Sequence, residues 1–145
     1  MKKRNIEKSY YSMHDTSIYG LLTAKFQHQL IEVKSIEKEG KILFYSGEDP
    51  VYNKMGRVIR DKLEQKPKVN GFIFIHLQQF GYSGNLDFSL IKKILKLRYE
   101  LHFCKEDLSL KNLNDFKKNY DNLLIYNNSL SQKSMKSKIF QKLNN

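Results

Sequence analysis

The sequence contains a single cysteine, Cys104, which excludes an internal disulfide and any zinc site built on several thiolates. Its setting, Glu100-Leu101-His102-Phe103-Cys104, reads as a strand, so a buried, inert thiol is expected there. The four histidines, His14, His28, His76 and His102, fall at no spacing suited to a shared metal. No metal and no other cofactor is expected. Long apolar runs are missing too: the longest, such as Phe72 to Ile75, fall far short of the ~20 residues that span a bilayer, so no membrane partner is expected. After the basic start Met1-Lys2-Lys3-Arg4 come Asn5, Glu7 and Lys8, where a leader peptide would need apolar residues; this predicts a cytoplasmic protein. No internal repeat and no Pro/Gly/Ser-rich linker divides the 145 residues, which is the length of one ordinary domain.

Lysine and arginine number 26 against 15 aspartates and glutamates, a net charge of +11 that favours a polyanionic partner or an acidic membrane surface. With 40% apolar and 28% charged residues the chain has the composition of a folded protein. Lysine greatly outnumbers arginine, and Asn and Ile are plentiful, so a biased composition is an alternative source of part of the excess.

Turn-forming residues at Gly40, Ser46-Gly47-Glu48-Asp49-Pro50, Pro67, Gly71 and Gly81-Tyr82-Ser83-Gly84-Asn85 cut the chain into alternating strand-like and helix-like segments. Leu21, Leu22, Phe26, Leu30, Val33 and Ile36 predict a helix over 18–38, ended by Gly40. A short strand follows over 41–45, then a helix over 51–63 with Val51, Met55, Val58, Ile59 and Leu63 on one face. The stretch 70–77 is the most strand-like in the chain, and its unbroken apolarity predicts a central strand covered on both faces. A helix over 86–97 and a strand over 99–104 come next. From Leu113 to Leu143 the pattern is helical but polar, too polar for core, as expected of a helix that meets a partner chain or DNA. The fold expected is α/β: a three-layer arrangement of four to five mostly parallel strands with helices on both faces, plus a long C-terminal helix. Residues 1–110 would form the α/β domain and 111–145 a basic helix continuing it. In such sheets the working site lies at the carboxyl ends of the strands, here Ser12 to Thr16, Ser46 to Pro50, Leu77 to Ser83 and Lys105 to Leu108.

Those strand ends carry a resemblance. Gly71-Phe72-Ile73-Phe74-Ile75-His76-Leu77-Gln78-Gln79-Phe80-Gly81-Tyr82-Ser83 is similar to the signature of serine site-specific recombinases, an apolar strand followed by Asp-Arg-Leu-Gly-Arg-Ser. The helix over 86–97 and the strand Leu101-His102-Phe103-Cys104-Lys105-Glu106-Asp107-Leu108 follow in that family's order. Tyr45-Ser46-Gly47 resembles its Ser-Gly turn, and Asn119-Tyr120-Asp121-Asn122-Leu123 the start of its long dimer-forming helix. The likeness spans most of the chain and implies the fold of the resolvase/invertase catalytic domain.

The family's reaction needs a serine hydroxyl that attacks a phosphodiester, and arginines that neutralise the phosphate. Arginine serves because its planar fork holds two phosphate oxygens at once. This chain departs at nearly every such position. Tyr10-Tyr11-Ser12-Met13-His14 sets Ser12 where the resemblance puts an arginine and His14 where it puts the nucleophile; a shift of one residue puts Asp15 there instead. Gln78, Gln79 and Tyr82 stand for the acidic residue and two arginines of the signature, and Tyr52 for a further arginine. Loss of one such partner commonly costs ~2.7 to 4 kcal/mol in the transition state. The expectation is therefore a recombinase-like domain that has lost catalysis, a binding or regulatory remnant of a mobile element.

Two alternatives stay open. One is an active recombinase acting through Ser12 from a shifted register, with Arg57 or Arg60 on the phosphate. The other is a small basic protein-interaction module without a DNA role. Ordinary structural roles are expected for Ser12, His14 and Ser17 as loop or cap residues, and for His76 as a hydrogen-bonded strand-end residue. For DNA, the candidate contacts are Arg57, Arg60, Lys133, Lys136, Lys138 and Lys142, with a homodimer through Leu113 to Leu143. With the last residue at Asn145, no separate DNA-reading module is expected, so DNA affinity would be electrostatic and weakly sequence-specific.

Overall fold

The computed structural model describes residues 7–48, 57–82 and 85–129. The strands are β1 (Lys8–His14), β2 (Gly40–Gly47), β3 (Gly71–Phe74), β4 (Gly81–Tyr82), β5 (Asn85–Leu86), β6 (Glu100–Phe103) and β7 (Leu108–Leu110). The helices are α1 (Ala24–Glu37), α2 (Arg57–Glu64), α3 (Phe88–Lys96) and α4 (Leu113–Lys118), with a further helical stretch over 120–129. Five strands form one sheet in the order β2-β1-β3-β6-β7; the first four are parallel and β7 runs antiparallel on the edge. The expected α/β class, mostly parallel sheet and strand number hold.

The apolar run of β3 is explained by its two faces. Side chains alternate across a strand, so Phe72 and Phe74 join the larger core under α2, α3 and α4 while Ile73 and Ile75 join a smaller one under α1. The larger core adds Ile59 and Leu63 of α2 and Leu90, Ile91, Ile94 and Leu95 of α3; the smaller holds Tyr10 and Ile31. Among the described residues, three helices thus cover one face and one helix the other. Side-chain oxygens of Thr23, Asp87 and Asn112 accept from the first-turn N–H groups of Phe26, Leu90 and Asp115 and start α1, α3 and α4. Gly71 is required by close approach, since a Cβ there would sit 2.2 Å from the Glu100 carbonyl oxygen.

Several expectations are corrected. The segment over 18–38 is not one helix: Thr16–Ile18 forms a 3-10 turn and α1 begins only at Ala24. Its apolar stripe faces outward, with Phe26, Val33 and Ile36 exposed, while Gln27, Ile31, Lys34 and Ser35 are buried. The reason is tertiary pairing: Gln27 is tied to the backbone of Asp15 and Leu22, and Lys34 to Asp107 and Glu37. Gly40 is not the helix-ending residue; Glu39 takes the left-handed conformation (φ 60°) and Gly40 opens β2, where a Cβ would lie 2.7 Å from the Tyr10 ring. Ser46-Gly47 closes a strand rather than forming a turn. The strand expected over 70–77 ends at Phe74, and Leu77–Phe80 is a 3-10 turn. The segment from Leu113 does enter the core, through Phe116 and Leu123, and its helix is interrupted at Asn119. The first part of the helix expected over 51–63 and the tail beyond 129 lie outside the described residues. No helix among the described residues is long and apolar enough to cross a membrane.

Candidate functional site

Chain order reverses between β1 and β3: β2 lies on one side of β1 and β3 on the other. In open parallel sheets that switch point, at the carboxyl ends, is where ligands bind. Here Asp15 follows β1 and His76 closely follows β3, and the His76 Nε2 atom lies 2.6 Å from Asp15 Oδ2. The Ser17 hydroxyl and N–H both donate to Asp15 Oδ1. Burial works to raise the Asp15 carboxyl pKa, but the bonds from His76 and Ser17 outweigh it and hold the group below the usual carboxylate range. Because Ser17 donates to the carboxylate and not to the imidazole, it is not arranged as a base-activated nucleophile.

Gln79 pins three strand ends together. Its Oε1 accepts from the N–H groups of Ile75 (2.8 Å) and His76 (3.1 Å), and its Nε2 donates to the carbonyls of Met13 (3.1 Å), His14 (2.9 Å) and Glu48 (3.0 Å). Glu48 in turn accepts from the Ile59 N–H of α2. His14 is buried against His28, with ring centroids 4.1 Å apart, and its pKa is pushed down to about 4 by burial and by the neighbouring imidazole. Ser12 is fully buried, and its hydroxyl has no hydrogen-bond partner among the described residues. Gln78 is exposed and lines a mainly apolar cavity of about 590 Å³ together with His76, Cys104, Lys105 and Leu22. Burial pushes the Cys104 thiol up to about 12, which leaves it protonated and unreactive at neutral pH. The backbone of Tyr82 pairs with Asn85 in the short β4–β5 ladder, and Tyr52 lies outside the described residues.

A second feature lies on the three-helix face. In α3, Leu90, Ile91, Ile94 and Leu95 turn into the core, which leaves Lys92, Lys93 and Lys96 on the opposite arc. Packing of α2 beside α3 adds Arg60, and the five-residue set Arg60, Ser89, Lys92, Lys93 and Lys96 lines most of a groove of about 480 Å³. Asp87 lies at its edge, with Oδ2 2.9 Å from Arg60 Nη2. Lys92 and Lys96 also border an adjoining pocket of about 390 Å³ formed with Leu113, Phe116, Lys117 and Tyr120.

Charge is distributed accordingly: residues 7–48 hold five lysines and six acids, whereas residues 57–129 hold thirteen lysines and arginines and eight acids. The positive potential of the described chain therefore belongs to its later half. Of the candidate DNA contacts, Arg60 joins the groove, Arg57 is exposed on the same helix but does not line it, and Lys133, Lys136, Lys138 and Lys142 lie outside the described residues. Lys92, Lys93, Lys96 and Lys117 were not singled out from sequence. Their signal was present: three of them occupy the polar arc of a helix whose apolar residues were recognised.

Among the described residues, no group of three or more His, Cys, Asp or Glu side chains is placed to hold a metal ion. Comparison with protein-family models, with curated proteins and with solved structures finds no match to this chain, so its function is argued from this geometry.

Proposed function

We propose that the chain is a resolvase/invertase-like domain, derived from a mobile element and acting in the cytoplasm, that holds DNA by its phosphate backbone and does not cleave it. The observation that carries this reading is the convergence of Arg60, Lys92, Lys93 and Lys96 on one groove, with Asp87 paired to Arg60 at its edge. Such a set attracts a polyanion and gives it no sequence to read. The resemblance supplies the remaining support, together with what the strand ends hold. Where phosphate chemistry would need arginines and a free hydroxyl, Asp15, His76, Gln27 and Gln79 are engaged with one another and with the backbone. Burial of Ser12 argues against the cleaving alternative, since its hydroxyl would have to reach a phosphodiester. The reading includes a homodimer through Leu113 to Leu143, made by the outward side on which Ile125 is exposed and not by the side of Phe116 and Tyr120 that borders Lys92 and Lys96.

The test pairs a mobility shift on duplex DNA with incubation of supercoiled plasmid. Binding without nicking is expected. Nicking that disappears in Ser12→Ala would replace this reading with the active recombinase.

A second reading rests on α1. Phe26, Val33 and Ile36 form an exposed apolar stripe, a surface suited to a protein-interaction module. It would take precedence if no nucleic acid bound at low salt.

A further inference from the structure

The backbone-binding reading leaves the adjoining pocket without a role, and its chemistry differs from that of the groove. Its floor is Phe116, which is buried, and its wall is Tyr120, which is 41% exposed. The two rings lie 5.8 Å apart between centroids, with Phe88 6.1 Å from Phe116 and 5.9 Å from Tyr120. Lys92, Lys96 and Lys117 stand around this aromatic group, and the Lys92 ammonium lies 5.8 Å from the Phe116 ring centre. Because Lys92 and Lys96 belong to both cavities, one lysine ridge separates a cationic groove from an aromatic pocket.

A ligand that satisfies both sides carries phosphates and, within a few ångströms of them, a flat apolar group free to leave its stack. Duplex DNA presents the phosphates but keeps its bases paired and stacked. A single strand presents both, and stacking on an exposed aromatic ring beside a basic track is how single strands are commonly held. Resting on the backbone-binding reading, we propose that this face binds single-stranded nucleic acid, with one base seated against Tyr120 over Phe116 and its flanking phosphates on Lys92, Lys96 and Lys117.

The experiment is fluorescence anisotropy on the full chain with three probes at one salt concentration: an oligothymidylate, an abasic oligomer with the same number of phosphates, and a duplex. The oligothymidylate is expected to bind roughly ten-fold tighter than the abasic oligomer, in line with the stacking of one base. Tyr120→Ala and Tyr120→Leu should erase that difference, and Tyr120→Phe should keep it. Equal binding of the oligothymidylate and the abasic oligomer by the unaltered chain would overturn the proposal and leave the backbone reading standing. A preference that survives both Tyr120→Ala and Tyr120→Leu would overturn it as well. Absence of binding to all three probes would remove both readings together.

Discussion

His76 and Asp15, 61 positions apart in sequence, meet through a 2.6 Å contact that joins the end of β3 to the end of β1. Both side chains are buried, and Asp15 is also held by Ser17 and Gln27. The pair therefore acts as a clasp across the switch point of the sheet. Asp15→Asn removes the charge that the imidazole faces and should destabilise the fold by about 2–4 kcal/mol, within the range for breaking a buried charge-assisted contact. Urea unfolding measures it. Duplex affinity of the folded variant should be unchanged, because Asp15 is not part of the basic groove; a lost affinity with intact stability would assign Asp15 a binding role.

Gln79 offers a sharper case, because no neutral apolar residue can replace its contacts. Gln79→Leu removes the acceptor of the Ile75 and His76 N–H groups and the donor to the carbonyls of Met13, His14 and Glu48, of which the His14 carbonyl still accepts from the Glu48 N–H at 2.8 Å. Each stranded buried group costs about 1–3 kcal/mol, so the variant should lose most of its stability. Retention of the parent urea midpoint would show that water substitutes for the amide.

Acid should weaken the protein before its carboxylates titrate. His14 is held neutral to about pH 4, against an ordinary value of 6.5. Between those values the unfolded chain binds a proton there that the folded chain refuses, so stability falls as pH drops through that window. The loss approaches roughly 3 kcal/mol by its lower end. His102, also lowered by burial, acts in the same direction. Asp15 and Glu100, both below the usual carboxylate range, add their losses at lower pH. His14→Phe keeps a ring against His28 and should flatten the pH dependence of the urea midpoint between pH 6.5 and 4. An unchanged slope would locate the titration elsewhere.

The parts of the fold that were legible in the sequence are those where packing follows a simple period. β3 reads as a central strand because both of its faces are apolar, and α3 reads as a helix because Leu90, Ile91, Ile94 and Leu95 share one side. α1 misleads for a physical reason. Apart from Ile31 its buried residues are polar, and Gln27 and Lys34 are satisfied by partners outside the helix, Asp15 and Asp107, so hydrophobic spacing selects the wrong face. The edge strand β7 is three residues long and carries no periodic signal. The site divides in the same way. The lysines of α3 can be placed on one arc from sequence, whereas Arg60 joins them only through the packing of α2 against α3, and the Asp15–His76 pair only through sheet order.

The central claim, that the α2–α3 groove is the place where DNA phosphates sit, is tested most directly by the salt dependence of duplex affinity, measured by anisotropy for the unaltered chain and for Lys92→Glu/Lys93→Glu/Lys96→Glu. These side chains face away from the core, so the variant should keep its thermal midpoint within a few degrees. Each phosphate contact contributes a slope of about −0.9 in log affinity against log salt. The account predicts that the triple variant binds much more weakly and that its slope is shallower by roughly 3. A folded variant with the parent's affinity and slope would contradict it and place the DNA contact elsewhere on the chain.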